Sequence, residues 1–251
     1  MSFDISRDVS PDVSIVVPVF DEEGAAPTLA REIAAAFAGR AYELIFVDDA
    51  SRDATRSVLG ALSAEIPALR LLAHARNAGQ SRAIRSGVLA ARAPIVVTLD
   101  GDGQNDPADA PRLADRMAAS PDLAMVGGVR VKRQDTAAKR YASRFANGVR
   151  QALLHDSAAD TGCGLKAFRR AAFLRLPYFD HMHRFLPALM QREGYQVAFE
   201  PVGHRQRQTG RSKYTNLGRL WASVSDLGGV MWLASRARNP GEVTEARSGE
   251  R

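Results

Sequence analysis

Short apolar runs alternate with helically spaced stretches through the first half of the chain. The runs Ser14–Phe20, Glu43–Asp48, Leu69–Ala73, Pro94–Leu99 and Leu123–Val126 predict five strands. Between them, residues 25–38, 53–64, 80–91 and 108–119 carry apolar residues at helical spacing and predict four helices. Strands that are apolar along nearly every position are buried on both faces, so the pattern predicts an α/β fold with a mostly parallel sheet flanked by helices. In such a sheet, ligands collect at the carboxyl ends of the strands.

After residue 129 the rhythm breaks. Residues 130–150 hold seven Lys/Arg and one Asp, and predict a helix running on to Leu154. Residues 182–193 read as helical and 196–202 as extended, and 204–213 form a polar loop with four Lys/Arg and no acid. In 217–235, Leu217, Leu220, Trp221, Val224, Leu227 and Met231 fall on one helical stripe, with Arg219 and Asp226 off it. That stripe suits a lipid interface, the flank of the main domain, a membrane partner or another subunit. The tail after Asn239-Pro240-Gly241 is polar and predicted to be disordered. The expected organisation is a tail at 1–11, a main domain at 12–216 (halves at about 12–129 and 130–216), an amphipathic helix at 217–236 and a tail at 237–251.

With 45% hydrophobic and 25% charged residues, the chain is neither disordered nor collagen-like. One cysteine excludes an internal disulfide framework and a Cys-rich zinc site. The first residues lack the apolar core of a signal peptide, and no run approaches the length of a membrane span. The expectation is a soluble or peripheral cytoplasmic protein. The net charge of +6 hides an asymmetry: residues 1–110 carry −6 and residues 111–251 carry +12. Such a split suits nucleic acid, an anionic membrane, or a phosphorylated substrate beside a metal. The nucleic-acid reading leaves the clustered acids unexplained and lacks a recognisable motif.

The sharpest local feature is Asp100-Gly-Asp102-Gly-Gln104-Asn-Asp-Pro107, directly after the fourth predicted strand. Side-chain oxygens at alternate positions converge on one side of an extended loop, and hard oxygen ligands suit Mg²⁺ or Mn²⁺. An EF-hand would need Gly and Glu where Asn105 and Pro111 stand. A polar turn leading into a helix at Pro107 is the bland account. Against it, the first two strands end in Asp21-Glu22-Glu23 and Asp48-Asp49, so three strands bring carboxylates to one sheet edge. Like charges repel, and a fold has no structural need for such a cluster. Asp53 as a helix cap and Asp21 as a turn residue are sufficient readings for those two.

Val16-Val-Pro-Val-Phe-Asp-Glu-Glu23, Val47-Asp-Asp-Ala-Ser51, Arg76-Asn-Ala-Gly79 and the Asp100–Pro107 loop resemble, in order and spacing, the family 2 glycosyltransferases. Lys139-Arg140, Ser143-Arg144, Asp160-Thr-Gly-Cys-Gly164, His183-Arg-Phe-Leu-Pro187 and Arg207-Gln-Thr-Gly-Arg-Ser-Lys213 resemble its polyprenyl-phosphate branch, the dolichol-phosphate-mannose-synthase-like transferases. The resemblance spans about residues 12–216. It implies a GT-A-type fold that binds a nucleotide-diphospho-sugar with Mg²⁺ or Mn²⁺. Pro18, Phe20, Glu22 and Asp49 would contact the nucleoside, with Gly79 beside it. Asp100 would touch ribose or metal, and Asp102 and Gln104 would hold the metal on the diphosphate. Arg207 and Lys213 would close over the phosphates. This chain has Asp21 and Ala50 where relatives often have Asn and Gly.

The implied enzyme is an inverting glycosyltransferase moving a UDP- or GDP-linked sugar to a polyprenyl phosphate at the cytoplasmic membrane face. Its partners would be the anionic membrane surface or a membrane protein, and a homo-oligomer is compatible with the pattern. A metal-dependent family 2 enzyme with a glycan or other hydroxyl acceptor is the alternative, and it requires a carboxylate base. Departure of the nucleotide builds negative charge that a metal and cations stabilise. Arg130, Arg133, Lys139 and Arg140 would balance the acceptor phosphate, with Ser143 donating a hydrogen bond, whereas Lys132 and Arg150 read as a solvated face. Cys163 reads as structural, Asp160 as either local or acceptor-positioning, and His181 and His183 as surface or phosphate-contacting groups. Trp221 and Trp232 read as core or interface residues.

Overall fold

The computed structural model describes residues 10–131, 148, 150–154, 156, 158, 160–206 and 216–238, with side chains in the last segment from 224 onward. Seven strands form one sheet: β1 (Val13–Val19), β2 (Tyr42–Asp48), β3 (Leu69–Ala73), β4 (Ile95–Thr98), β5 (Leu123–Arg130), β6 (Lys166–Arg169) and β7 (Gln196–Val202). The helices are α1 (Ala26–Ala36), α2 (Thr55–Leu62), α3 (Gln80–Ala90), α4 (Ala110–Ala119), α5 (Arg170–Arg175), α6 (Leu186–Arg192) and α7 (Asn216–Ser235). Residues 148 and 150–154 are also helical, in keeping with the helix expected to reach Leu154.

Strand order is β3-β2-β1-β4-β6-β5-β7. The first four strands pair in parallel, as the apolar runs predict. All seven residues of β1 are buried, because α1 covers one face of the sheet and α3 the other. Leu29, Ile33 and Phe37, four residues apart along α1 and its cap, are fully buried on the first face. Each such side chain contributes roughly 1.5–3 kcal/mol of transfer free energy. Pro18 is tolerated in β1 because pairing with β4 stops at Val16–Thr98, so its missing N–H breaks no ladder bond.

β6 departs from the parallel expectation. It lies between β4 and β5 and runs antiparallel to both. Its amino-terminal residue, Lys166, therefore pairs with Thr98 at the carboxyl end of β4, the same edge to which the acidic loops belong. A four-residue strand beginning with Lys carries too little periodicity to reveal this.

α7 corrects the single-stripe reading. Leu227, Val230 and Leu233 pack into the second core cluster, and Asp226 pairs with His181 at 2.9 Å. Val224 and Trp232 are 58% and 60% exposed, and Met231 is 38% exposed. The predicted stripe is split: Leu227 points to the domain while Val224 and Met231 point away from it. Leu217, Leu220 and Trp221 have side chains outside the described residues. Among the described residues, no helix is long and apolar enough to cross a membrane.

Candidate active site

β1 lies between β2 and β4, so the chain leaves β1 in one direction across the sheet and later returns on its other side. At such a switch point the loops after neighbouring strands part and leave a crevice. A cleft of about 790 Å³ lies there. Pro18, Phe20, Glu22 and Asp49 line it from the ends of β1 and β2, and Gly79 lines it from the start of α3. Asp100, Asp102 and Gln104 follow β4 into the same cleft. Arg130 and Lys166 line it from β5 and β6, with Cys163 and His183 nearby. Every described site residue expected from sequence is thus in one place. Arg133, Lys139, Arg140, Ser143, Arg207, Lys213 and Lys132 lie outside the described residues.

Asp49 organises the nucleoside-side wall. One carboxylate oxygen accepts Ala78 N–H at 2.9 Å and faces His74 Nδ1 at 2.6 Å, and the other accepts Gly79 N–H at 2.8 Å. Gly79 has φ +87, and a Cβ there would sit 3.2 Å from Asp180 Oδ1. That combination of left-handed backbone and close carboxylate selects glycine. His74 Nε2 in turn meets Ser86 Oγ at 2.9 Å. The sequence signal for His74 was absent: a lone histidine after a strand has no distinctive spacing.

Asp21 and Ala50 both have positive φ, 50° and 62°. Asn and Gly are the residues that enter this region with least strain, so Asp21 and Ala50 carry some backbone strain. Asp21 compensates by accepting Arg52 N–H and its guanidinium, both at 2.7 Å. Asp53 behaves as the bland reading expected: it accepts Thr55 N–H at 3.0 Å ahead of α2 and Glu23 N–H at 3.2 Å.

The acidic loop is built around the buried Asn105 and the half-buried Asp100. Asn105 Oδ1 accepts Asp100 N–H at 2.9 Å, and Asp100 Oδ1 accepts Gln80 Nε2–H at 2.8 Å. The Asp100 carboxyl lies against Gly164, where a Cβ would overlap it, so the close approach requires glycine. Burial raises the Asp100 pKa, and the charge of Asp102 adds to this. Lys166, Gln80 and Arg130 oppose it. Asp102 Oδ1 accepts Gln104 N–H at 3.1 Å, which folds the loop back on itself. Pro107 opens a 3₁₀ turn capped by Asp106 through Ala108 N–H at 3.0 Å.

A divalent cation suits this loop. The Asp102 charge helps raise the Asp100 pKa, and these two carboxylates with the Gln104 amide in one cleft form an all-oxygen donor set. Among the described residues no group of three or more His, Cys, Asp or Glu gathers to hold a metal by itself, at this loop or elsewhere, so the set here is two carboxylates and an amide.

Opposite the acids stand the cations. Arg130 Nε and Nη2 donate to the two oxygens of Asp160 at 2.7 and 2.8 Å. Burial works against the Arg130 charge, but Asp160 outweighs it and the pKa rises. Lys166 Nζ donates to the Cys163 carbonyl. Burial lowers the Lys166 pKa, against the pull of Cys163, Asp100 and Asp160. Cys163 is buried and its thiol is pushed up by burial, consistent with a structural role. His183 faces Ser81 Oγ at 2.7 Å through Nδ1, and enclosure holds its pKa well below the ordinary value. Arg150 is not on a solvated face. It is buried, and its guanidinium pairs with Asp156 and the Ala158 carbonyl.

Residues 14–176 match the family described as glycosyl transferase family 2. An undecaprenyl-phosphate 4-deoxy-4-formamido-L-arabinose transferase of Pseudomonas aeruginosa is 37% identical over 218 residues, 86% of this chain and 63% of that protein. Its counterpart in Sodalis glossinidius is 38% identical over 207 residues, 81% of this chain and 63% of that protein. The chain thus spans 63% of the length of these curated relatives. Glucosyl-3-phosphoglycerate synthase of Mycobacterium tuberculosis, crystallised with Mn²⁺, UDP and phosphoglyceric acid, superposes with TM-score 0.68. It is 17% identical, and the match covers 92% of this chain and 81% of that one. The mannosyltransferase PcManGT of Pyrobaculum calidifontis, solved with GDP-Man and Mn²⁺, gives TM-score 0.60 at 22% identity, covering 82% of this chain and 59% of that one. The sheet is that of a GT-A fold, and with its acidic loop at the switch point and the family match running from β1 through α5, the chain belongs to the family 2 glycosyltransferases.

Proposed function

We propose that the chain moves a sugar from a UDP- or GDP-linked donor to a polyprenyl phosphate, with inversion. One observation carries this reading: a single cleft joins the metal-type loop Asp100–Gln104 to a wall bearing Arg130 and Lys166. The similarity to undecaprenyl-phosphate sugar transferases supports the lipid acceptor. A phosphate monoester is largely ionised at neutral pH, its second pKa being about 6. It needs no general base, only cations that offset repulsion from the donor. The acceptor oxygen bonds to the sugar C1 as the bond from C1 to the diphosphate breaks, and the electron pair leaves with the nucleoside diphosphate.

Pro18, Phe20 and Glu22 would form the nucleoside pocket, with Asp49 setting the 78–79 backbone beside it. Asp102 and Gln104, with Asp100, would hold Mg²⁺ or Mn²⁺, which neutralises charge on the leaving diphosphate. Arg130, Lys139, Arg140 and Ser143 would receive the acceptor, and Arg207 and Lys213 would cover the phosphates. A hydroxyl acceptor would need a carboxylate base, and the oxygens of Asp160 are committed to Arg130. The exposed Val224, Met231 and Trp232 on α7, with the net +12 of residues 111–251, suit peripheral binding to an anionic bilayer at the cytoplasmic face.

The test is nucleotide release from a panel of UDP- and GDP-sugars with Mn²⁺, with and without a polyprenyl phosphate. Release that requires both metal and lipid phosphate is expected. Release that is indifferent to lipid phosphate but stimulated by a glycan would overturn the acceptor. Flotation with anionic liposomes tests the membrane reading: salt-sensitive association weakened by Met231→Ser with Trp232→Ser is expected, and no association at low salt removes it.

A further inference from the structure

Three cations line the described part of the cleft: Arg130, Lys166 and Arg184. Arg130 commits its fork to Asp160, at 2.7 and 2.8 Å, so an opposite charge already matches it. Lys166 is placed differently. It is only 5% exposed, and among the described residues its ammonium has the Cys163 carbonyl as its hydrogen-bond acceptor and no carboxylate within ion-pair distance. A carbonyl takes one of three N–H donors and carries no net charge. A dehydrated ammonium without a paired anion is costly to the fold, by several kcal/mol in general. Such a group facing an open cleft is built to receive an anion.

Topology decides which anion. β6 runs antiparallel beside β4 and β5, which brings Lys166 to the edge bearing Asp100 while leaving it next to Arg130 on the acceptor wall. Of the candidate metal ligands, Asp100 neighbours Lys166, while Asp102 and Gln104 lie farther along the loop after β4. We propose that Lys166 joins the residues that receive the acceptor and is the one whose charge its phosphate matches, with Arg130, already paired to Asp160, beside it. The inference rests on the phosphate-acceptor reading above, which placed Lys166 on the wall without giving it a contact, and assigns it that contact. Lys166 would draw the acceptor oxygen toward the sugar C1 and offset its repulsion from both Asp100 and the departing diphosphate.

Binding of farnesyl phosphate, a short polyprenyl phosphate, is measured by calorimetry on the full chain with Mn²⁺ and UDP or GDP present. Nucleotide binding with Mn²⁺ is measured separately, and KM and kcat come from nucleotide release. Lys166→Met is expected to weaken farnesyl phosphate binding by about 10- to 100-fold, the loss of a charge-assisted hydrogen bond. Nucleotide binding should fall far less than acceptor binding, since of the candidate donor contacts Asp100 alone is close enough to act on the Lys166 charge. Lys166→Arg should restore part of the acceptor affinity. Should the Met variant fail to fold, Lys166→Gln keeps a donor for the Cys163 carbonyl and carries the same comparison. Unchanged acceptor affinity overturns the assignment, and selective loss of nucleotide binding moves Lys166 to the donor diphosphate. A wild-type protein that binds nucleotide but neither binds nor uses farnesyl phosphate would instead sink the acceptor reading itself.

Discussion

At the ends of β1, β2 and β4 the carboxylates are held mostly by neutral donors. Asp49 takes two backbone N–H groups and a histidine, Asp53 takes Thr55 and Glu23 N–H, and Asp100 takes the amide of Gln80. Across the cleft, on β5 and β6, charge is met differently. Among the described residues, Arg130 is matched by a carboxylate, while Lys166 donates to a carbonyl. Asp21 is matched by Arg52, whereas at Asp49, Asp53 and Asp100 backbone and side-chain dipoles keep the anion in place. That suits a wall meant for a cation and a nucleotide. On the basic wall one cation is neutralised and rigid and the other is left wanting an anion. The lesson is that the number of charges in a cleft says less than what already cancels each one.

The largest expected effect breaks the acidic wall. Asp102→Asn should lower kcat by about 10²–10³-fold, the scale of losing a key electrostatic stabiliser. Thermal stability should be unchanged, because Asp102 bonds locally to Gln104 N–H. Full activity in this variant, or in excess EDTA, would remove the metal assignment.

Next comes the neutralised pair on the basic wall. Asp160→Ala strands the half-buried Arg130 charge at the cleft and should cost about 1 kcal/mol of unfolding free energy, the solvent in the cleft screening the rest. Adding Arg130→Met should recover most of it, since no charge is then left unpaired. Urea titrations of the three proteins decide this. A double variant as unstable as the single one would show that the loss comes from packing rather than charge.

A smaller effect concerns His183, whose pKa is depressed chiefly by burial, with Lys166, Arg184 and His181 adding repulsion. The folded chain resists a proton that the unfolded chain accepts below about pH 6.5. The unfolded state then binds more protons, so stability is complete above that pH and declines as pH falls below it. His183→Asn should flatten this decline in melting curves taken across the range. An unchanged slope would assign it to other groups.

The smallest effect sharpens the acidic wall. Ala50 holds a left-handed φ of 62°. Ala50→Gly should gain about 0.5–1 kcal/mol once the freer unfolded glycine is allowed for. The melting temperature should rise by roughly 2 °C. A lower one would mean the Ala50 methyl contributes packing that outweighs the strain.

Local pattern alone determined the first half of this protein. The buried strands β1 to β4 announce themselves as apolar runs because both of their faces are covered, and the helices between them show the 3.6-residue period of a one-sided burial. Parallel strands joined by helices all place their carboxyl ends on one edge, so the pattern by itself gathers Asp49, Asp100 and Asp102 there. Beyond residue 129, tertiary structure decided the arrangement. β6 has four residues and no signature, and its antiparallel insertion came from competition between sheet edges far apart in sequence. That insertion delivered Lys166. The same is true of Arg130 and Asp160, of the buried Arg150, and of α7, whose apolar residues divided between the domain and the outside. Periodicity records how much of an element is buried. It does not say which charge will meet which partner, because that choice depends on distances and dielectric that only the folded chain creates.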